Sequence, residues 1–347
     1  MKRKHVKFLI LAVAAFVFLG ASSFNSDLLA AKNYTIRLAH SNAPDPYKSL
    51  EQMWSIVFKG IVESKTGGQV KVEIYPAGQL GGQREIIEST QIGTIEMGSA
   101  ADAVVSNFNK DTMIFTMPFL FENIDDSYKL WQSAWGEKWA NSFRKETGLR
   151  IVGVAGYGFR CLTNDVRPIH SPADAKGLKF RVMESPVPLA MIQGLGASAQ
   201  PISAPELYSA LQQGVVDGQE NPLTSITSYK YYEVQKYLTL DEHQLGTQIT
   251  TINERFFQSL PKDIQQIIIE AGQEACFAQM GGCTIINKGT GMEIANKEMK
   301  VYAPTAKERE AFKAAMQPPA RKVIENAIGK GKVAEAMKAI EEILNNK

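Results

Sequence analysis

Cysteine and histidine are scarce in this sequence: its 347 residues include three cysteines and four histidines. Three cysteines are too few for a disulfide framework. On a continuous helix, Cys276 and Cys283 would be separated by about 10.5 Å of rise, which exceeds the ~7 Å Cα separation that a disulfide can bridge. One histidine, His5, lies in the first ten residues, so the rest of the chain has little material for a Cys/His metal site. The composition therefore predicts no disulfide scaffold, no metal centre and no cofactor.

The chain also carries little net charge. Lys and Arg number 38 against 36 Asp and Glu, which gives a formal charge of +2. Four of these cations and none of the acids precede residue 24, so the remaining chain has 34 basic and 36 acidic groups and a charge of −2. Binding to nucleic acid or to an anionic membrane surface needs a broad basic field. We therefore expect no nucleic-acid partner.

Only one long hydrophobic run occurs, and it lies near the N-terminus. A basic segment, Lys2 to Lys7, precedes the uncharged run Phe8 to Ala21, which is 14 residues long. A membrane-spanning helix needs roughly 20 residues, whereas a basic segment before a short apolar run is typical of a secretory signal. We assign residues 1–23 as a signal peptide, with cleavage between 23 and 31; an uncleaved anchor is the alternative. After cleavage, we expect an exported chain that is not inserted in the membrane.

Motifs of common enzyme classes are missing as well. The sequence has no GxSxG elbow, no GxxxxGK[ST] phosphate loop and no HExxH segment. The segment Gly156 to Gly158 begins like a dinucleotide-binding loop, but Cys161 occupies the position of the third glycine. His40 stands at the carboxyl end of a predicted strand, at the edge where open α/β sheets bind ligands. The motifs thus favour a binding protein over an enzyme.

Hydrophobic periodicity alternates between two types of element, which predicts an α/β fold. We predict strands at 34–40, 70–75, 149–155, 179–182, 236–240 and 247–252. We predict helices at 46–65, 83–92, 125–145, 186–195, 206–213, 261–300, 306–328 and 331–345. A helix of about 40 residues from Pro261 must cross more than one domain, although glycines at 281–282 and 289–291 are candidate bends. No Pro-rich or Gly/Ser linker separates two halves, so the chain is expected to pass between two lobes more than once.

Two arginines are the clearest candidates for a binding site. Arg181 alternates with Phe180 and Val182 in a predicted strand, so its guanidinium points away from the face that buries them. Arg160 follows the glycine-rich segment 156–159. An arginine fork matches a carboxylate with two parallel hydrogen bonds. If the two side chains converge, the ligand is an acid; the alternative is that both are surface or ion-paired arginines.

Four sequence blocks resemble the DctP-type substrate-binding proteins of TRAP (tripartite ATP-independent periplasmic) transporters. The blocks are Tyr75 to Gly81, Lys176 to Val182, Glu206 to Pro222, and Tyr232 to Leu238 followed by His243. The resemblance implies a periplasmic, two-lobe α/β fold in which the lobes exchange strands and share a long helix. It implies lobe I at 32–157 plus 247–286 and lobe II at 158–246 plus 287–347.

The resemblance also implies the residues that bind the ligand. The main carboxylate-binding arginine of the family corresponds to Arg181, the second arginine to Arg160 and an amide-bearing residue to Asn221. Weaker candidates are His40 and Gln83, which match positions that line the cleft in some relatives, and Asp102, which falls close to a specificity position where the residue type varies. For Asp102, a helix N-cap is an equally good explanation.

The function implied is capture of an organic acid and its delivery to a TRAP membrane permease. We expect a uronate or another hydroxylated monocarboxylate first and a C4-dicarboxylate next. Sialic acid is disfavoured, since Ala204 replaces an aromatic residue found in some sialic-acid relatives. Two alternatives remain at this stage. One is a ligand-sensing protein that serves a receptor, and the other is an extracytoplasmic enzyme that uses His40, His243, Glu220 or Asp102 as acid or base.

Overall fold

The computed structural model describes residues 32–345. The predicted signal peptide, residues 1–23, lies outside the described residues. Within 32–345, no helix combines the length and the apolar character needed to cross a membrane.

Nine strands within the described residues form one mixed sheet, in the order β2-β1-β3-β8-β4-β7-β5-β6, with β9 beside β8. The strands are β1 (Tyr34–Ala39), β2 (Val70–Tyr75), β3 (Met97–Ala101), β4 (Leu149–Asn164), β5 (Lys179–Val182), β6 (Ser198–Pro201), β7 (Gly218–Asn221), β8 (Tyr237–Asn253) and β9 (Lys300–Tyr302). The pairs β1·β3, β5·β7 and β5·β6 are parallel, whereas β3·β8, β8·β4 and β4·β7 are antiparallel. We call β1, β2 and β3 the first half of the sheet and β5, β6 and β7 the second half.

The strands β4 and β8, of 16 and 17 residues, connect the two halves of the sheet. The C-terminal part of β8 pairs with β3, and the C-terminal part of β4 pairs with β7. The β4·β8 register shifts between Gly156 and Gly158. Gly158 has φ +128°, and a Cβ atom there would lie 2.7 Å from Pro222 Cβ, so the shift requires glycine. The prediction of strands at 149–155, 236–240 and 247–252 was therefore wrong in extent, because both strands continue through this irregularity.

Most helices lie between the strands in sequence, and two follow the last strand, β9. They are α1 (Leu50–Lys65), α2 (Gln83–Ile92), α3 (Asp102–Val105), α4 (Asp126–Gln132), α5 (Ala134–Thr147), α6 (Pro186–Gly194), α7 (Leu207–Gln212), α8 (Leu223–Ser228), α9 (Glu254–Ser259), α10 (Lys262–Lys288), α11 (Thr290–Glu298), α12 (Ala306–Ile328) and α13 (Lys330–Asn345). Short 3₁₀ segments occur at 110–116, 172–175, 204–206 and 231–233.

Two predicted helices are each divided in the structure. The helix predicted at 125–145 is interrupted at Ser133, which has an extended backbone and whose side-chain Oγ caps α5 by accepting a hydrogen bond from the Gly136 N–H. The helix predicted at 261–300 is interrupted at Gly289, which has φ −110° and ψ −111°. Neighbouring Gly281 and Gly282 stay helical within α10. Of the two candidate bends at 281–282 and 289–291, only the second breaks the helix. The helix α10 therefore has 27 residues.

Glycines allow α10 to lie close to its neighbours. A Cβ atom on Gly282 would be 2.5 Å from Met53 Sδ of α1, and one on Gly272 would be 2.1 Å from the Val152 carbonyl oxygen of β4. Neither distance is compatible with a side chain. The long helix therefore supports α1 and the central strand β4, which both carry residues of the site described next.

Candidate ligand-binding site

A cavity of about 40 Å³ is lined by residues from both halves of the sheet. Asn42, Glu51 and Gln83 come from the first half and its helices, while Arg181 and Asn221 come from the second half. Arg160 of the central strand β4 also lines it. A buried water occupies about 10–15 Å³ by this measure, so the cavity has room for roughly three waters.

Arg181 is buried in the cavity wall without an acidic partner. Its strand neighbours Phe180 and Val182 are fully buried on the other face, and Arg181 itself is 3% exposed. Its Nε donates to the Ile202 carbonyl oxygen at 2.7 Å. Among the described residues, its two Nη atoms donate no hydrogen bond and form no ion pair. Burial, and to a lesser extent the positive charge of Arg160, lower the pKa of Arg181. A buried cation of this kind is costly until an anion pairs with it.

Arg160 lines the same cavity but already has a partner. It is fully buried, and its Nε and Nη2 donate to the two carboxylate oxygens of Glu220 at 2.5 and 2.9 Å. Its Nη1 donates to the Tyr157 hydroxyl at 2.7 Å. Nη2 also donates to the Glu220 carbonyl oxygen. The guanidinium therefore retains one Nη1 hydrogen for a ligand, and its charge is largely offset.

The carboxylate that pairs with Arg160 is part of a larger buried network. Nε2 of His243 lies 3.3 Å from Glu220 Oε2, and its Nδ1 lies 2.9 Å from Asp241 Oδ2. Burial lowers the pKa of His243, but Asp241 and Glu220 outweigh this effect and raise it to about 9. Burial raises the pKa of Glu220, but Arg160 and His243 lower it to about 2. Two cations and two anions thus balance in one fully buried group.

The predicted residues Asn221 and Gln83 both reach the cavity. Asn221 Nδ2 donates to Gln219 Oε1 at 2.5 Å, which fixes the amide and leaves one N–H for a ligand. Gln83 Oε1 accepts from the Ala101 N–H at 2.9 Å, and its Nε2 donates to Ser41 Oγ at 3.2 Å. Each amide is therefore oriented by the protein before a ligand arrives.

His40 and Asp102 are fully buried but are not among the residues that line the cavity. His40 Nε2 lies 2.8 Å from Gln52 Oε1, and burial lowers the pKa of His40 to about 4. Asp102 Oδ1 accepts from the Ala103 N–H at 2.7 Å, as an acid in a first helical turn does. Burial raises the pKa of Asp102 to about 7, although Arg160 opposes this. As ligand contacts, both remain predictions.

Several cavity residues escaped the sequence reasoning. They include Glu51 in the first turn of α1, and Tyr229 and Tyr231, whose rings stack with centroids 5.4 Å apart. An acid in a first helical turn normally indicates only a favourable interaction with the helix dipole. The two tyrosines follow α8 in a segment that has no motif of its own. No local pattern separates these residues from ordinary surface or core positions.

Known proteins resemble this chain over most of its length. The profile of the DctP family, described as "Bacterial extracellular solute-binding protein, family 7", matches residues 47–326. The 2,3-diketo-L-gulonate-binding periplasmic protein YiaO of Escherichia coli is 26% identical over 324 residues, which are 93% of this chain and 96% of YiaO.

Solved structures give the same result. The sugar acid binding protein DctPAm of Advenella mimigardefordensis, in complex with galactonate, superposes with a TM-score of 0.84 at 29% identity and covers 90% of this chain and 99% of its own. A TRAP periplasmic solute-binding protein of Sulfurospirillum deleyianum with bound succinate gives a TM-score of 0.80 at 28% identity, over 88% and 98% of the two chains. The predicted two-lobe α/β fold is confirmed, and neighbours of this fold bind small carboxylates. The chain belongs to the DctP family of extracellular solute-binding proteins, the binding components of TRAP transport systems.

Proposed function

We propose that this protein binds a hydroxylated monocarboxylate, such as a uronate or an aldonate, in the periplasm and delivers it to a TRAP membrane permease. A C4-dicarboxylate is the second choice of ligand. The observation that carries the proposal is Arg181, a 3% exposed guanidinium that lines the cavity with both Nη atoms unpaired among the described residues. A carboxylate is the group that fits this fork with two parallel hydrogen bonds.

Arg160 and Asn221 have secondary roles in this proposal. The remaining Nη1 hydrogen of Arg160 adds one donor from the side of β4, and the remaining amide hydrogen of Asn221 adds another from β7. Neither group needs to rearrange to bind the ligand, because Glu220 holds the arginine and Gln219 holds the asparagine. Preorganised donors of this kind reduce the entropy cost of binding.

The preference for a hydroxylated acid rests on the relatives and on the cavity wall. YiaO is named for 2,3-diketo-L-gulonate, and the structure of DctPAm contains galactonate. The cavity here also contains Asn42, Ser203, Ser225 and Tyr229, which can exchange hydrogen bonds with ligand hydroxyls. Succinate in the Sulfurospirillum structure is the reason to keep a C4-dicarboxylate as the second choice.

Capture in this proposal couples ligand binding to a movement of two lobes. We place lobe I at 32–157 plus 247–286 and lobe II at 158–246 plus 287–347. Their boundary on β4 then coincides with the register shift at Gly158, and the boundary on β8 lies opposite it, at Gly246 and Thr247. A ligand held first by the arginines recruits groups of the other lobe and shifts the population toward a closed form. The permease recognises that form.

The arrangement of the acids and histidines favours capture over catalysis. Of the four candidates for an acid or base, Glu220 and His243 are fully buried and hydrogen-bonded to each other. His40 and Asp102 lie outside the cavity lining. A general acid or base must reach the reacting group of the substrate. None of these four side chains is therefore placed to act on an acid bound at Arg181.

A thermal-shift screen of the mature protein against uronates, aldonates, C4-dicarboxylates and keto acids tests the proposal. At 1,000 times Kd, a ligand stabilises the native state by about 4 kcal/mol, which raises Tm by several degrees. Calorimetry on the best acid then compares Arg181→Ala with Arg321→Ala, a control that removes an exposed arginine paired with Glu325. We expect about a 100-fold loss of affinity for the first variant and none for the second. A loss below threefold for Arg181→Ala would refute the assignment.

A further inference from the structure

The carboxyl group of Glu51 lies in the same cavity as Arg181. It belongs to the first turn of α1 and is 7% exposed. No basic side chain is among the groups that act on its carboxyl. The cavity therefore contains a cation without an anion, from the second half of the sheet, and an anion without a cation, from the first.

Glu51 is held in position by two amide side chains. The Gln248 amide is oriented so that its nitrogen faces an acceptor and its oxygen faces a donor. Its Nε2 donates to Glu51 Oε1 at 2.9 Å, and its Oε1 accepts from the Ala100 N–H at 2.9 Å. Asn42 also hydrogen-bonds to the carboxyl. Burial raises the pKa of Glu51 to about 7, although the hydrogen bonds from its own N–H and from Asn42 oppose the shift. The carboxylate is thus a fixed acceptor with capacity for further hydrogen bonds.

The small size of the cavity brings any ligand close to both charged groups. Arg181 and Glu51 line the same cavity of about 40 Å³, so an acid bound at Arg181 lies in the space that Glu51 also borders. A ligand hydroxyl next to Glu51 would donate a charge-assisted hydrogen bond. A second ligand carboxylate in the same place would meet a like charge at low dielectric constant, which is strongly unfavourable.

We propose that Glu51 determines ligand selectivity: it accepts a hydrogen bond from a hydroxyl of the bound acid and excludes acids that carry a second carboxylate at that position. This inference rests on the proposed function, because it requires an acid at Arg181. Of the two proposed ligand classes, hydroxylated monocarboxylates and C4-dicarboxylates, a charged Glu51 favours the first.

Pairs of acids that differ at one end test this selectivity. D-galactonate and galactarate share a six-carbon chain and differ only in a terminal CH₂OH or carboxylate; D-erythronate and meso-tartrate form the same pair with four carbons. Calorimetry at pH 8 measures the ratio of affinities within each pair for the wild-type protein and for Glu51→Gln. The control is Glu341→Gln, which removes an exposed acid of α13 outside the cavity lining.

We expect the wild-type protein to prefer the monocarboxylate of at least one pair by about 100-fold. In Glu51→Gln, that ratio should fall at least tenfold, because the amide no longer repels a carboxylate; in Glu341→Gln it should change less than threefold. An unchanged ratio in Glu51→Gln, or an equal change in both variants, would overturn the inference. If the wild-type protein binds no acid of any class, or if Arg181→Ala binds the acid as well as wild type does, the proposed function itself is wrong. Failure of the Glu51 inference is therefore distinct from failure of the proposed function.

Dependence of selectivity on pH provides a second test, with Glu51→Gln as its control. Lowering the pH from 8 to 5.5 protonates Glu51, so the affinity of wild-type protein for galactarate should rise relative to galactonate. The other ionisable groups that act with Glu51 are Tyr157, Tyr229 and Cys283, and burial raises the pKa of each well beyond this range. Asp102 also titrates near pH 7, so Glu51→Gln measures its contribution. A ratio that does not change between pH 5.5 and 8 in the wild-type protein would contradict the inference.

Discussion

Arg160 and Arg181 line one cavity, but the protein treats their charges in opposite ways. Arg160 forms a paired fork with Glu220, whose carboxylate is in turn bound to His243. Arg181 has one hydrogen bond, to a carbonyl oxygen, and among the described residues no acid within ion-pair distance. The first arginine is neutralised within the fold, whereas the second remains a buried charge that a ligand can neutralise.

The difference separates what stabilises this site from what binds the ligand. A buried charge that is paired contributes to a rigid wall, and removing its partner is costly. A buried charge that is unpaired destabilises the unliganded protein. An anion that pairs with it removes this cost, so the relief adds to the binding free energy. The two arginines should therefore respond differently to substitution, one chiefly in folding and the other chiefly in binding.

The largest expected effect is on folding and concerns Arg160. Replacing it by Met leaves the Glu220 carboxylate buried without its main partner, and we expect a loss of about 3–5 kcal/mol in the free energy of unfolding, measured with urea. Arg37→Met is the matched control. Arg37 also forms an ion pair, with Glu96, but its side chain is 39% exposed. There we expect a loss of about 1 kcal/mol or less. Equal losses in both variants would remove the distinction between the two kinds of pair.

Arg181→Met should reduce ligand binding and leave the stability of the unliganded protein nearly unchanged. The variant loses an unpaired buried charge but also the hydrogen bond to the Ile202 carbonyl oxygen, so its unfolding free energy without ligand should stay within about 1 kcal/mol of wild type. Its binding free energy for the acid should fall by about 3 kcal/mol. Urea titrations with and without the acid measure both quantities on one sample. A large loss of stability without ligand would mean that Arg181 has a structural role like that of Arg160.

The pH dependence of stability sharpens the comparison, because only the Arg160 side carries a titrating network. The pKa of His243, about 9 in the folded protein, lies above its ordinary value of ~6.5. Its contribution is therefore full below pH 6.5 and is lost as the pH rises through 9, in total roughly 3 kcal/mol.

The pKa of Glu220, about 2, is depressed, so its contribution is present above pH ~4.5 and is lost as the pH falls toward 2. Urea unfolding between pH 8 and 9.5, above the range in which Glu51 and Asp102 titrate, should show the alkaline loss in the wild-type protein and not in His243→Gln. The same slope in both proteins would contradict a charged His243 in the network.

The smallest expected effect is at Asn221. Its Nδ2 is oriented by Gln219, and loss of one donor to the acid in Asn221→Ala should reduce affinity by about tenfold, or ~1.4 kcal/mol. Asn221→Asp has nearly the same shape but adds a negative charge beside the ligand carboxylate, so it should lose more than Asn221→Ala. Calorimetry with the best acid measures both. If Asp is tolerated as well as Ala, the carboxylate does not lie next to this residue.

The sequence was sufficient for the fold class and for the direction of Arg181. Alternation with Phe180 and Val182 places its guanidinium on the opposite face of β5, and the structure has that arrangement. Local periodicity failed where the backbone departs from regular geometry. Examples are the register shift at Gly158 within β4 and the break at Gly289 after α10.

The partners of the site residues were beyond the reach of sequence reasoning. Glu220 is 60 residues away from Arg160 in the chain, and the two meet only because β7 pairs with β4. Hence the sequence could not distinguish a paired arginine from an unpaired one. Glu51 has the appearance of an ordinary first-turn acid, and its place in the cavity depends on how α1 packs against the sheet. Long-range packing, rather than local pattern, therefore defines the site.

A crystal structure of the mature protein with its tightest-binding acid tests the central claim most directly. We predict that the two oxygens of the ligand carboxylate lie about 2.7–2.9 Å from the Nη atoms of Arg181, while Arg160 keeps its hydrogen bonds to Glu220. A carboxylate bound to Arg160 with Glu220 displaced, or one that contacts neither arginine, would contradict the assignment of Arg181 as the ligand-binding charge.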